Sequence, residues 1–335
     1  MRLSCNQGRE AARAIGPALA SILFAATVCV GAEPERSPVP TAKTPFAELK
    51  PQVVLKVGEN ADWVLVSENA VWTGSTGPNA VHRVDPRTNT ITDSIPLPGA
   101  PCAGLAEGFG ALWVPLCDEK GLARIDLASN HLVEVLPIGP AGQDAGIATS
   151  ADSVWMVTDT KGSLVRIDPA TGKSRQTVHL PAGSYNLQHR DGILYATQFE
   201  GAALTIVDAA TGKVLASVPT GLHPRFLTIG GGYVWTLNQG DGTMTRISVK
   251  TRQAVGSIAL GTTRPGGDIA FGEGKVWTSV FTTPLSVTDA ATGHLLRQWT
   301  GPGGDSLGIG HGAIWITDYK RGTIARIPLA ATGIH

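Results

Sequence analysis

Apolar positions in this chain fall in short alternating runs, not in helical stripes. From residue 53 onward, alternating apolar and polar residues are separated by Gly, Pro, Asn, Asp and Thr, which is the pattern of half-buried strands joined by tight turns. The runs repeat as a set. One line recurs: an apolar pair, a Trp, a short polar stretch, a Gly-rich bend, then Arg-Ile-Asp-Pro-x-Thr-Gly-Lys. Ser153-Val154-Trp155 leading to Arg166-Ile167-Asp168-Pro169-Ala170-Thr171-Gly172-Lys173 is one instance. The Trp position falls at 72, 113, 155, 195 (a Tyr), 235, 277 and 315, at spacings of 41, 42, 40, 40, 42 and 38. Self-similarity at such a period marks a repeat architecture.

Each unit holds four runs. The first is small and apolar, as in Ala103-Gly104-Leu105-Ala106. The second carries the Trp, the third ends in Arg-Ile-Asp or a variant, and the fourth follows a Thr-Gly-Lys turn, as in Val214-Leu215-Ala216-Ser217-Val218. Four strands in about forty residues make a propeller blade, and a blade that cannot bury both faces alone must stack on its neighbours. The pattern predicts an all-β fold, a seven-bladed β-propeller with four-stranded blades over residues 53–329, followed by a C-terminal tail, 330–335. The recurrent Trp reads as packing between blades. The last unit stops after its third strand, at Ala325-Arg326-Ile327-Pro328, while Val53-Val54-Leu55-Lys56-Val57-Gly58 stands ahead of the first unit like a fourth strand. The N-terminal strand is therefore expected to close the last blade and remove a free edge.

Ahead of the repeats, Arg2, Arg9 and Arg13 precede an uncharged stretch from Ala14 to Ala32 that ends Val30-Gly31-Ala32. Residues 1–32 read as a secretory signal peptide; a retained anchor is the alternative, because the stretch nearly spans a bilayer. Residues 33–52, rich in Pro, read as a flexible leader. The expected location is outside the cytoplasm, periplasmic or extracellular. Three of the 27 basic and one of the 27 acidic residues lie in 1–32, so the remainder carries a net charge of −2. No basic face favours nucleic acid and no later segment could span a membrane. A monomer is expected.

Cys5 and Cys29 would leave with the signal. Cys102 and Cys117 flank a hairpin whose turn lies near Gly108-Phe109-Gly110, which sets them opposite each other. In an oxidising compartment that predicts a structural disulfide.

Candidate chemistry lies where the repeats stop resembling one another. The three residues before each inner run read Ala61-Asp62-Trp63, Cys102-Ala103-Gly104, Asp144-Ala145-Gly146, Ser184-Tyr185-Asn186, Pro224-Arg225-Phe226, Gly266-Gly267-Asp268 and Gly304-Asp305-Ser306. In a propeller these converge on one mouth of the central channel. Asp62, Asp144, Tyr185, Asn186, His223, Arg225, Asp268 and Asp305 are the candidate ligand-binding residues, with Asp159, Asn238, Gln239, Asp318 and Tyr319 near the same rim. Asp62, Asp144, Asp268 and Asp305 are oxygen ligands of the kind Mg²⁺ or Ca²⁺ prefers, and Arg225 could clamp a ligand carboxylate. The bland alternative has the aspartates capping turns. Thr171-Gly172-Lys173-Ser174 is a hairpin turn, not a phosphate loop, because the upstream glycine is missing and the line recurs at Thr211-Gly212-Lys213.

Ala111-Leu112-Trp113-Val114, Leu164-Val165-Arg166-Ile167-Asp168-Pro169 and Thr211-Gly212-Lys213-Val214 resemble the repeats of the virginiamycin B lyase-like propellers and of YVTN-type and lactonase-like bacterial propellers. The resemblance covers residues 53–329. It implies a seven-bladed ring and, in the lyase, Mg²⁺ on the channel face with histidines on inner strands that open a cyclic ester by elimination. The corresponding positions here are Asn186, Phe226 and Asp268, none of them His. Three functions follow as expectations: a non-catalytic binder of a small ligand, ion or exported partner; a divalent-metal-dependent lyase or lactonase, with catalytic residues open; or a protein-interaction scaffold.

Overall fold

The computed structural model describes residues 36–37, 43–263 and 265–334. The signal peptide read in 1–32, with Cys5 and Cys29, lies outside the described residues.

Seven four-stranded antiparallel blades follow one another along the chain, and in the first six the strands run in sequence order from inside to outside. Blade one is built from Asn60–Val66, Val71–Thr76, Ala80–Asp85 and Thr90–Pro96. The inner strands of the other blades are Ala106–Gly108, Ile147–Thr149, Ser184–Arg190, Pro224–Gly230, Asp268–Gly272 and Leu307–Gly310. Blade seven supplies only three strands from its own repeat. Val53–Lys56 is its fourth, antiparallel to Thr323–Pro328 with Val53 opposite Arg326 and Lys56 opposite Thr323, as the sequence predicted.

The repeat residues build the packing. Trp72, Trp113, Trp155, Trp235, Trp277 and Trp315 are each at most 1% exposed, so they are filler between sheets. In five blades the Trp lies directly across from an Arg on the third strand: Trp72 and Arg83, Trp113 and Arg124, Trp155 and Arg166, Trp235 and Arg246, Trp315 and Arg326. The guanidinium carbon in each case stands 5.4–5.9 Å from the indole, a cation–π contact. The repeated Asp serves the turn that follows: Asp168 Oδ1 accepts from the backbone N–H groups of Ala170 and Thr171 at 2.8 and 3.1 Å.

The leader departs from expectation. It was read as flexible, yet Arg36–Ser37 pairs in parallel with the outer strand of blade five and Thr44–Pro45 with that of blade six. A short 3₁₀ turn, Phe46–Glu48, follows, and Leu49 is buried in the cluster holding Trp277 and Trp299. Prolines do not prevent this, because an added edge strand needs few of its own N–H groups. The tail also docks: Arg297 donates to the carbonyl of Thr332 at 2.9 Å, and Thr332 is buried.

Cys102 and Cys117 form a disulfide with their Cα atoms 5.8 Å apart. Cys102 lies before the inner strand of blade two, beside an isolated bridge between Pro101 and Leu116. Its carbonyl accepts from the N–H of Asp144 at 2.8 Å, so the bridge braces the channel mouth. The sequence separation of 15 residues corresponds to about 3 kcal/mol of loop-closure stabilisation. The expected result is that Cys102→Ser with Cys117→Ser lowers unfolding free energy by about that amount in a denaturant titration. A titration that reductant leaves unmoved would show that the bridge contributes nothing.

Candidate functional site

The inner strands surround a central channel of about 600 Å³, and a second cavity of about 250 Å³ lies at the mouth where those strands begin. Trp63 borders both. Its backbone is left-handed, φ 61°, at a bulge in Asn60–Val66 where the ladder slips between Asp62 and Val64. A bulge inserts a residue and re-aims its neighbours; here it turns Asp62 and Trp63 toward the mouth. The indole N–H of Trp63 is buried without a hydrogen-bond partner.

Four of the expected carboxylates do converge. Asp62, Asp144 and Asp305 line the mouth cavity and Asp268 lines the channel. They come from blades one, three, seven and six. Local backbone fixes each one. Asp62 Oδ1 accepts from the N–H of Trp63 at 2.7 Å and from the Ser306 hydroxyl at 3.0 Å. Asp305 Oδ1 accepts from the N–H of Gly267 at 2.7 Å. Gly267 has φ 92°, and a Cβ there would collide with the Ser279 carbonyl, so glycine is required to deliver that N–H. Asp268 Oδ1 accepts from the N–H of Ile269 at 2.8 Å.

Burial, with the neighbouring aspartates, raises the pKa of three of the four, making them weaker acids. Desolvation pushes Asp268 up to about 7 and Asp305 up to about 6, with Asp144 and other carboxylates adding to both. Asp62 is raised well above the usual range, first by burial and then by Asp305 and Asp144. Charged carboxylates taken from water and placed in one another's field favour their neutral forms.

Arg225 overturns one expectation. It was read as free to clamp a ligand, but its Nε and Nη2 both reach Asp144 Oδ2, the former at 2.9 Å. Its guanidinium carbon lies 5.4, 5.7 and 5.9 Å from the rings of Tyr185, Phe199 and Phe226. Blade five thus reaches over blade four to blade three, and this guanidinium is neutralised internally. Among the described residues no Lys or Arg lines either cavity. His223 is off to the side: it is exposed, lines neither cavity, and stacks on Phe199 with centroids 4.6 Å apart. Tyr185 also faces Arg225 and not either cavity.

Asn186 lines the channel and is 8% exposed. Its backbone N–H donates to Thr197, while its side-chain amide has no partner among the described residues. Of the other rim candidates, Tyr319 lines the mouth cavity. Asp159 is committed to the N–H groups of Lys161 and Ser163, and Asn238 to Thr236, Thr243 and Thr245. Gln239 donates to the Gly266 carbonyl, and Asp318 accepts from the N–H of Arg321.

The tetrad named for Mg²⁺ or Ca²⁺ is not gathered for one ion. Among the described residues no group of three or more His, Cys, Asp or Glu side chains is arranged to hold a metal. Sequence reasoning missed Trp63, Phe199 and Phe281 as site residues. A signal existed for two of them. The fourth residue after each Trp-position residue reads Thr76, Cys117, Asp159, Phe199, Gln239, Phe281 and Tyr319, all at the same rim, and Phe199 and Phe281 stand out there as large apolar residues at a polar edge.

No family model and no curated protein matches this sequence. Among solved structures, the chain is similar in fold to a streptogramin B lyase, at 15% identity and TM-score 0.70, over 82% of this chain and 96% of that one. It is also similar to selenomethionine-substituted virginiamycin B lyase from Staphylococcus aureus, at 16% identity and TM-score 0.70, over 83% and 98%. At such identities the likeness is one of fold.

Proposed function

We propose that this chain is an exported binding protein that holds a small ligand at the channel mouth without turning it over. The observation that carries the reading is that Asp62 and Asp305 line the mouth cavity and Asp268 the channel, two cavities that share Trp63 and that no Lys or Arg lines among the described residues. Buried groups left in this state contribute nothing to folding that hydrophobic residues would not, which marks them as functional candidates. The disulfide supports work in an oxidising compartment. A binding role is favoured over the lyase-type alternative because no histidine stands at Asn186, Phe226 or Asp268 and His223 lies outside the cavities; His189, which does line the channel, stands three residues beyond Asn186 on the same strand.

Asp268, raised to about 7, and Asp305, raised to about 6, are both suited to general acid–base work. The test therefore reads binding and turnover together. Wild-type and Asp305→Asn proteins are screened by thermal shift against small organic ions, Mg²⁺, Ca²⁺, lactones and cyclic esters, with product formation followed by chromatography. A ligand at a hundred times its Kd stabilises the native state by about 2.7 kcal/mol. The expected result is such a stabilisation, lost in Asp305→Asn, with no product. Product that forms with wild-type protein and vanishes with Asp268→Asn would replace the binding reading with the enzymatic one.

A further inference from the structure

Within that reading of the mouth as a binding site, we propose that the ligand is an elongated organic amine carrying more than one positive charge, a polyamine in chemical class. Four observations point the same way.

The acids are divided between two cavities that share Trp63. Asp62, Asp144 and Asp305 line the mouth cavity, while Asp268 and then Glu107 line the channel. No three are arranged for one metal ion, so a point charge cannot satisfy them together, whereas ammonium groups separated by methylene chain can. Anions are disfavoured because no Lys or Arg faces either cavity among the described residues.

The second observation is independent of the acids. Asn186 is more than nine-tenths buried, borders the channel and offers an amide oxygen with no protein partner. Its amide makes no hydrogen bond to protein among the described residues, and an amide oxygen is a natural acceptor for an ammonium N–H.

The third is the character of the walls. Trp63, Phe226, Phe281 and Tyr319 line the mouth cavity among its aspartates. Ring faces attract cations and cover methylenes.

The fourth is that the protein already binds one organic cation this way, its own. The guanidinium of Arg225 is held by Asp144 and by the rings of Tyr185, Phe199 and Phe226 in the same rim.

The test is isothermal titration calorimetry of the full mature chain in 150 mM salt, where loose surface attraction is screened. Probes are spermidine, putrescine, propylamine, succinate and Ca²⁺. Spermidine is expected to bind at least tenfold more tightly than propylamine, with putrescine between them. Asp268→Asn and Asp305→Asn, both of which relieve an unfavourable charge and should fold, are each expected to weaken spermidine at least tenfold. Asn186→Ala should weaken it severalfold, and Glu134→Gln, on the outer edge of blade two, should leave it unchanged. No heat with any amine overturns the proposal, as does equal weakening by Glu134→Gln. If amines fail while succinate or Ca²⁺ binds and Asn186→Ala weakens it, the ligand class falls and the mouth site stands. If every probe fails, both fall.

Discussion

Deleting residues 53–57 is expected to leave a chain that no longer folds as a closed ring, recovered mainly as soluble aggregate or inclusion bodies. Val53–Lys56 supplies the fourth strand of blade seven, and the N–H of Val57 continues the pairing to the Gly322 carbonyl at 2.9 Å. Gln52 N–H to the Arg326 carbonyl at 2.8 Å and Lys56 Nζ to the Arg321 carbonyl at 2.6 Å extend it at both ends. Val57 is buried beside Trp315, Ile324 and Ala61, and Leu55 packs against the same cluster. Losing two such side chains costs roughly 2 kcal/mol each, and the ladder adds about 1 kcal/mol per net hydrogen bond. That sum approaches the whole stability of an ordinary domain. The deletion also bares the edge of Thr323–Pro328, which invites pairing between molecules. A permuted chain that begins at Asn60 and carries residues 50–58 on a short linker behind Ile334 separates the two effects. It should be monomeric by gel filtration, with a cooperative melt. A deletion variant that melts like wild type would show that closure is dispensable.

Replacing Asp268 with Asn is expected to stabilise the protein at alkaline pH and do little in acid. Burial raises this carboxyl from 3.8 to about 7 in the folded state. A raised folded value means that the folded protein holds the proton more tightly than the unfolded chain. The associated stability is fully present below about pH 4 and is lost as pH climbs through 7. Asp305, raised to about 6, and Asp62, raised further by its neighbours, work in the same direction. At 1.36 kcal/mol per unit, ionised Asp268 costs up to about 4 kcal/mol at pH 8. Wild type should therefore lose stability between pH 5 and 8, and Asp268→Asn should recover up to that amount at pH 8. Acid limits the other side. Asp85 and Asp289 are lowered to about 2, mainly by Arg87 and by the N–H of Thr292 respectively, and lose their contributions as pH falls from about 4. Urea titrations at pH 5 and 8 decide the matter; identical pH dependence in both proteins would remove Asp268 as the source.

The ring was legible because its determinants are local and repeated. Trp155 and Arg166, eleven residues apart, meet across one hairpin, and the same pair recurs in four other blades. The missing last strand was legible too, since Val53-Val54-Leu55 has the alternation of a fourth strand and no first-blade partner. The mouth was half legible. Aligning the repeats singled out Asp62, Asp144 and Asp305, which line the mouth cavity, and Asp268, which lines the channel. It could not tell that Arg225 spends its charge on Asp144, because that contact joins blades three and five across 81 residues and no repeat register encodes it. The leader misled for a related reason: its strands borrow pairing partners from blades five and six, and a two-residue strand has no periodicity to read.

The N-terminal strands that pair with blades five, six and seven also bear on the order of folding. Their pairs join the beginning of the chain to its far end, as with Val53 and Arg326. Contacts of such sequence separation form slowly, because the loop entropy is lost before the contact contributes. Blades one to six can assemble from neighbours while blade seven waits for both termini. The final step is then a single long-range docking event, and until it happens the nascent ring keeps an open seam to which other proteins can bind.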